Sequence, residues 1–296
     1  MNDIIQEFKE HIEKKNLTVA SVARLLDIST TTLHLWLKGK YEGNSERIEK
    51  LVKQFLQIQK ERDNAPKSIN FKMTRAAKIV FDTIRLAHVM NEMTVIVSRA
   101  GYGKTMAIKQ YVARNRDAVL IEARPSQQTY ALVYELGKKL TVSIRNDSDM
   151  IFQRIVTKLQ ISPKVLIFDE AQLYNYRALE MIRRIHDVSG CGVVLAGSYR
   201  LYDQMLGKDL KDFDQLFSRV VRRELPPLNI ADIKLLVQDK LGTISDQIAE
   251  QLLELCQGSA RYLEKNIKLA ESMVKDQAIT MKDIEKAHNY LMIKAA

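Results

Sequence analysis

Residues Ser98 to Thr105 read Ser-Arg-Ala-Gly-Tyr-Gly-Lys-Thr, directly after the apolar run Met93 to Val97 and at the head of an amphipathic stretch. That order predicts a strand, a phosphate-binding loop and a helix. The spacing follows from the chemistry. Gly101 and Gly103 let the backbone curl so that successive N–H groups face phosphate oxygens. Lys104 then reaches the β and γ phosphates, and Thr105 brings its hydroxyl to Mg²⁺. Arg99, Ala100 and Tyr102 complete the loop. Ser98 stands where the eight-residue pattern has its first glycine, so the match is to Gly-Lys-Thr with a near-complete loop.

A second element fits the same ligand. Lys164-Val-Leu-Ile-Phe-Asp-Glu-Ala-Gln172 is an apolar run too short for a helix that ends in two carboxylates, about 65 residues beyond the loop. It reads as a buried parallel strand presenting Asp169 and Glu170 at its carboxyl end. In P-loop ATPases such an aspartate holds Mg²⁺ through water, and the glutamate polarises the water that attacks the γ-phosphate. The expected ligands are ATP and Mg²⁺.

At 296 residues the chain holds two or three domains. Cys191 and Cys256 form no Cys-x-x-Cys pair, and no paired histidines accompany them, so neither a disulfide framework nor a zinc site is expected. The N-terminus lacks a basic start followed by an apolar stretch, and no run of about 18 apolar residues occurs. A soluble protein of the cytoplasm, without a membrane partner, is the expectation. Net charge is +10, with a pI near 9.4. Residues 1–65 carry 11 Lys/Arg against 10 Asp/Glu, residues 228–296 carry 9 against 10, and residues 66–227 carry 26 against 16. The central segment is therefore the expected electrostatic footprint for DNA or RNA, with cations that serve the nucleotide and subunit contacts as the competing reading.

Residues 17–41 have the rhythm of a helix-turn-helix, with Asp27-Ile28 at the turn and Ser29 or Thr30 capping a second helix. Leu33, Trp36 and Leu37 would face inward, and Thr31, Thr32, His34 and Lys38 outward, where they could enter a major groove. A helical bundle used for protein contacts is the competing reading. Residues 61–70 are polar, include Pro66 and read as linker. Helices are expected over 74–90, 130–140 and 151–159, and strands over 119–123, 164–168 and 192–196. Alternation of the two implies a parallel sheet covered on both faces, with ligands at the carboxyl ends of its strands. After Pro226-Pro227 four helical patterns follow, at 230–240, 245–256, 260–273 and 281–290. The division is thus 1–60 helix-turn-helix domain, 61–72 linker, 73–227 α/β P-loop core and 228–296 helical lid.

Three further positions narrow the reading. Ser198 follows the strand after the Asp-Glu strand, Arg219 lies in Gln-Leu-Phe-Ser-Arg-Val-Val-Arg-Arg, and Arg261 lies in Gly-Ser-Ala-Arg-Tyr-Leu. With the phosphate loop they resemble the AAA+ superfamily. That resemblance implies that Ser198 senses the γ-phosphate and that Arg261 bridges lid and γ-phosphate. It also implies that Arg219 projects into a neighbouring subunit's nucleotide, a role Arg222 or Arg223 could share.

Over nearly its full length the chain resembles the ATP-dependent target-DNA-binding B proteins of Mu-like transposable phages. The likeness rests on Lys40-Tyr-Glu-Gly-Asn-Ser-Glu-Arg-Ile, Gly101-Tyr-Gly-Lys-Thr, Asp169-Glu170-Ala171, Leu216-Phe-Ser-Arg-Val, Gly258-Ser-Ala-Arg and Leu269-Ala270. It implies ATP-dependent helical filaments on double-stranded DNA with little sequence preference, and presentation of that DNA to a transposase. It also implies DNA contacts from Lys138, Lys139, Arg145 and Arg154, in a segment that faces the central channel of related proteins. A solvated helix face is the competing reading for those four. A replicative helicase loader and an ATP-switched helix-turn-helix transcription regulator are the alternatives of different class.

Overall fold

The computed structural model describes residues 2–125, 129–145, 147–205, 220–274 and 278–292. Its contacts divide the chain into two units, Met1–Lys67 and Ser68–Ala296. In the first, helices α1 (Asn2–Lys14), α2 (Val19–Leu25), α3 (Thr30–Leu37) and α4 (Ser45–Asp63) enclose one core. Thr18 caps α2 in a reciprocal box with Ser21, and Ser29 Oγ caps α3 by accepting from the Thr32 N–H at 3.0 Å. Asp27, at φ 53°, turns the chain between them. Leu33, Trp36 and Leu37 are buried, and Trp36 meets Phe8 of α1 edge to face with ring centres 6.3 Å apart. Thr31, His34 and Lys38 are exposed, whereas Thr32 is half-buried. Two helices as short as α2 and α3 cannot close a core alone, and α1 and α4 supply Phe8, Ile48 and Val52 to it. Helix α4 reaches Asp63, past the expected domain end at residue 60.

The second unit opens with a correction to the expected linker. Residues 68–72 are docked rather than free: Asn70 Nδ2 and Lys72 Nζ donate to the Asp239 carboxylate at 3.0 and 2.7 Å, and Lys268 Nζ donates to Ser68 Oγ at 2.7 Å. Helix α5 (Arg75–Met90), capped by Thr74, leads into β1 (Met93–Val97) and α6 (Lys104–Arg114). Then follow β2 (Ala118–Glu122), α7 (Thr129–Lys139), α8 (Ser148–Ile161) and β3 (Val165–Asp169). A 3-10 turn (Ala171–Leu173), α9 (Tyr176–Ser189), β4 (Val193–Gly197), α10 (Tyr199–Met205) and β5 (Val221–Glu224) complete the core.

The five strands pair in the order β2-β3-β4-β1-β5, all parallel. Alternation sends Val95, Leu166, Phe168 and Leu195 to the face covered by α7, α8 and α9. It sends Ile96, Ile167, Val194 and Ala196 to the face covered by α5 and α6. Strand β5 was not expected, because Val-Arg-Arg-Glu has no apolar run. It needs none at the sheet edge, where its backbone alone pairs with β1, Val221 opposite Thr94 through Glu224 opposite Val97.

Helices α11 (Ile230–Leu241), α12 (Asp246–Cys256), α13 (Ala260–Val274) and α14 (Met281–Met292) form a separate apolar cluster. Asp232 joins it to the core, accepting from the Arg75 N–H at 2.9 Å while closing a capping box with Asn229. Cys191 and Cys256 are buried and unpaired, and burial pushes the Cys191 thiol up to about 11. Among the described residues no helix is long and apolar enough to cross a membrane.

Candidate active site

Strand β1 is buried along its whole length and delivers the chain into a loop whose Gly101 and Gly103 have φ 87° and 89°. Only a residue without Cβ takes that conformation freely, and Gly103 is also the N-cap of α6. The first N–H groups of α6, unpaired within the helix, and its positive dipole end therefore open onto the loop. A cavity of about 320 Å³ lies there, lined by Ser98 through Met106, Glu170, Ala260, Arg261 and Glu264. Every residue expected in the phosphate loop is at its wall.

Lys104 is 9% exposed. Burial depresses its ammonium pKa, and the charges of Asp169 and Glu170 act against that shift. A desolvated cation of this kind is stabilised by a polyanion entering the same space. Thr105 Oγ1 donates to Asp169 Oδ2 at 2.6 Å, and Asp169 Oδ1 accepts from the Glu170 N–H at 2.9 Å. The two carboxylates predicted at the end of one strand thus reach the loop predicted 64 residues earlier. Ser98 Oγ is buried and has no hydrogen-bond partner among the described residues, so the hydroxyl that replaces a glycine is an orphan at the cavity wall. The curled backbone, the buried ammonium and this orphan fit a triphosphate. A divalent cation fits at Thr105 and Asp169. Among the described residues no cluster of three or more His, Cys, Asp or Glu could hold a metal by itself, so phosphate oxygens and water would complete its shell.

Arg261 stands in the first turn of α13. Its backbone N–H donates to the Gly101 carbonyl at 3.3 Å and it lines the cavity, so the helical cluster touches the loop directly. Ser198 follows β4 and is half-buried outside the cavity wall, its N–H donating to Gln172 Oε1 at 3.0 Å. Arg219 lies outside the described residues. Arg222 and Arg223 lie on β5, and the Arg222 guanidinium stacks 3.4 Å from the centre of the Tyr202 ring. The four expected DNA contacts lie on α7, α8 and the connection between them, and none lines the cavity. Lys138 and Lys139 end α7, with the Lys138 ammonium 4.5 Å above the Tyr134 ring. Arg145 is exposed in the connection to α8. Arg154 of α8 spends Nη1 on the Ser143 and Arg145 carbonyls at 3.1 and 2.7 Å, which fastens that connection.

A second cavity of about 200 Å³ was not foreseen. It shares Tyr102, Gly103, Met106, Ala260 and Glu264 with the first and is otherwise lined largely by apolar groups, among them Ile69, Phe71, Ala77, Leu228 and Leu236. The docked segment makes it: Ile69 packs on the α11–α14 cluster and Phe71 on the core. The alternation Ile69, Phe71, Met73 within a polar stretch was the available signal. An apolar slot continuous with a phosphate cradle suits the base of a nucleotide. Ala77→Leu, which fills part of that slot, is expected to weaken ATP binding roughly tenfold or more while inorganic tripolyphosphate binds as before. Titration calorimetry with both ligands checks it, and equal loss for both would place the base elsewhere.

Comparison with known proteins agrees with this geometry. Residues 90–205 match the AAA domain family. The Mu-like prophage FluMu DNA transposition protein B of Haemophilus influenzae is 27% identical over 227 residues, covering 74% of this chain and 78% of that protein. The ATP-dependent target DNA activator B of Escherichia phage Mu is 25% identical over 279 residues, covering 91% and 88%. Among solved structures, the Aeropyrum pernix ORC2 protein superposes with a TM-score of 0.56 at 17% identity, covering 76% and 70%. A Walker-type ATPase of Pyrococcus abyssi superposes at 0.53 and 16% identity, covering 78% and 76%. These two share the fold.

Proposed function

From a chain that carries an AAA domain and is homologous to the transposition B proteins of Mu-like phages, we propose a target-DNA carrier driven by ATP. It is an AAA ATPase of DNA transposition. Its ATP-bound subunits assemble as helical filaments on double-stranded DNA with little sequence preference, in the host cytoplasm, and deliver that DNA to a transposase, which they activate. The observation that carries the reading is a buried Lys104 and a Thr105–Asp169 pair at a phosphate cradle, inside the segment that holds the whole charge excess.

The roles follow from position. Lys104 and the N–H groups of the loop and of the α6 N-terminus bind and orient the triphosphate. Mg²⁺, held by the Thr105 hydroxyl and the Asp169 carboxylate, would neutralise phosphate charge. Glu170, at the cavity wall beside Asp169, polarises the attacking water. Arg261 reports the γ-phosphate to α13, Ser198 reports it to β4, and Arg219 completes the site of the adjacent subunit. Lys138, Lys139, Arg145 and Arg154 present positive charge to the DNA backbone, and contacts to phosphate carry no sequence information.

Binding to several unrelated duplexes, with and without ATP over a range of salt, tests this. Similar affinities that require ATP and fall steeply with salt are expected, by roughly 0.9 log unit per log unit of salt for each phosphate neutralised. A strong preference for one duplex that persists without ATP would favour a transcription regulator instead.

A further inference from the structure

Two residues beyond Glu170, a side chain holds its carboxylate. Gln172, in the 3-10 turn, donates from Nε2 to Glu170 Oε2 at 2.5 Å and accepts at Oε1 from the Ser198 N–H at 3.0 Å. Its main-chain carbonyl accepts from Gln204 Nε2 of α10 at 3.2 Å. The amide has one workable orientation. Reversed, its oxygen would face a carboxylate and its NH₂ would face an N–H, so both bonds would become repulsions. Gly197 keeps the space for it, because a Cβ there would come within 2.5 Å of Gln172 Oε1.

We propose that Gln172 is a positioning residue for ATP hydrolysis: its amide, anchored on the backbone of Ser198, fixes the Glu170 carboxylate at the edge of the phosphate cavity. This rests on the reading of Glu170 as the group that polarises the attacking water. Glu170 has a long side chain at an exposed position, in left-handed backbone conformation at φ 55°, and left alone it would sample several rotamers. A charge-assisted hydrogen bond from a donor held at its other end selects one of them and leaves Oε1 for water. Because that anchor is the residue after β4, any shift of the β4 end on nucleotide binding moves the carboxylate with it. Misplacing a catalytic group by about 1 Å costs on the order of 10²-fold, which sets the scale of the expected loss.

Gln172→Glu separates this role from a structural one. It has the same length and keeps an oxygen for the Ser198 N–H, but it replaces the donor facing Glu170 with a second carboxylate. We expect kcat to fall on the order of 10- to 100-fold, a larger change than the added charge makes to KM or ATP affinity, with the thermal midpoint of the full-length protein unchanged. In a Glu170→Gln background the same change should have no further effect on the residual rate, since Gln172 acts only through Glu170. An unaltered kcat for Gln172→Glu, a loss confined to KM or ATP binding, or a further loss in the double variant each overturn the inference while leaving Glu170 in its role. A Glu170→Gln protein that hydrolyses ATP at the wild-type rate would overturn the role of Glu170 and this inference together.

Discussion

Glu170→Gln subunits are expected to bind ATP and hydrolyse it about 10²- to 10⁴-fold more slowly, the range that a positioned acid–base group contributes. Lys104, the Thr105–Asp169 pair and the apolar slot are untouched by this change, so nucleotide affinity should hold. If hydrolysis is what releases subunits, these filaments should persist on DNA after free ATP is removed. Lys104→Ala acts in the opposite direction. It deletes the buried ammonium that faces Asp169 and Glu170 and leaves two carboxylates beside an incoming triphosphate, so ATP binding and filament formation should both be lost. Electron microscopy and phosphate release, followed on the same samples, separate the two. Filaments of Glu170→Gln that dissociate as fast as those of the unaltered protein would show that hydrolysis is not the release step.

Arg219→Ala is expected to bind ATP normally and hydrolyse it on the order of 10³-fold more slowly, the scale of an arginine supplied across an interface in phosphoryl transfer. ATPase activity of the unaltered protein should rise more than linearly with concentration and rise again when DNA aligns the subunits, and Arg219→Ala should stay slow in both conditions. Mixing is the decisive arrangement. Arg219→Ala subunits still bind ATP, and a Lys104→Ala neighbour still lends them its arginine, so the mixture should recover activity that neither variant has alone. With co-assembly verified by cross-linking, no recovery would move the role away from Arg219. Arg222 is then the weaker substitute, since its guanidinium is already stacked on Tyr202. Arg223, exposed on the edge strand β5, is the stronger one.

Much of the core could be read along the chain because its signals are local. Each of the three central strands is a five-residue, mostly apolar segment buried along its whole length, because both faces of a parallel sheet are covered. Helices α5, α7 and α8 beside them fall within a few residues of their expected limits because periodicity and caps are short-range, as where Thr74 caps α5 through the Ala77 N–H, whereas α9 had no expected limits. Helices α1 and α4 carry apolar periodicity, but that they close a core with α2 and α3 follows only from contacts between residues remote in sequence. The apolar slot beside the phosphate loop went unforeseen for a different reason. Five residues of apparent linker, 68–72, acquire structure only by lying between two apolar clusters that arise elsewhere in the chain.

The sequence alone determined which chemistry is present. The glycines, lysine and threonine of one loop and the two carboxylates ending one strand have their geometry set by backbone sterics and strand alternation, which neighbouring residues dictate. The tertiary structure decided how those groups meet and what holds them. It placed Thr105 on Asp169, laid Asn70 and Lys72 on Asp239 and paired an arginine-bearing segment to β1 as a fifth strand. It also locked Glu170 to the end of β4 through one glutamine. Each of these depends on hydrogen bonds between groups remote in sequence, 26 residues apart for Gln172 and Ser198 and 169 for Asn70 and Asp239. No local pattern records such a bond, since its partners become neighbours only once the sheet and the helical cluster have formed.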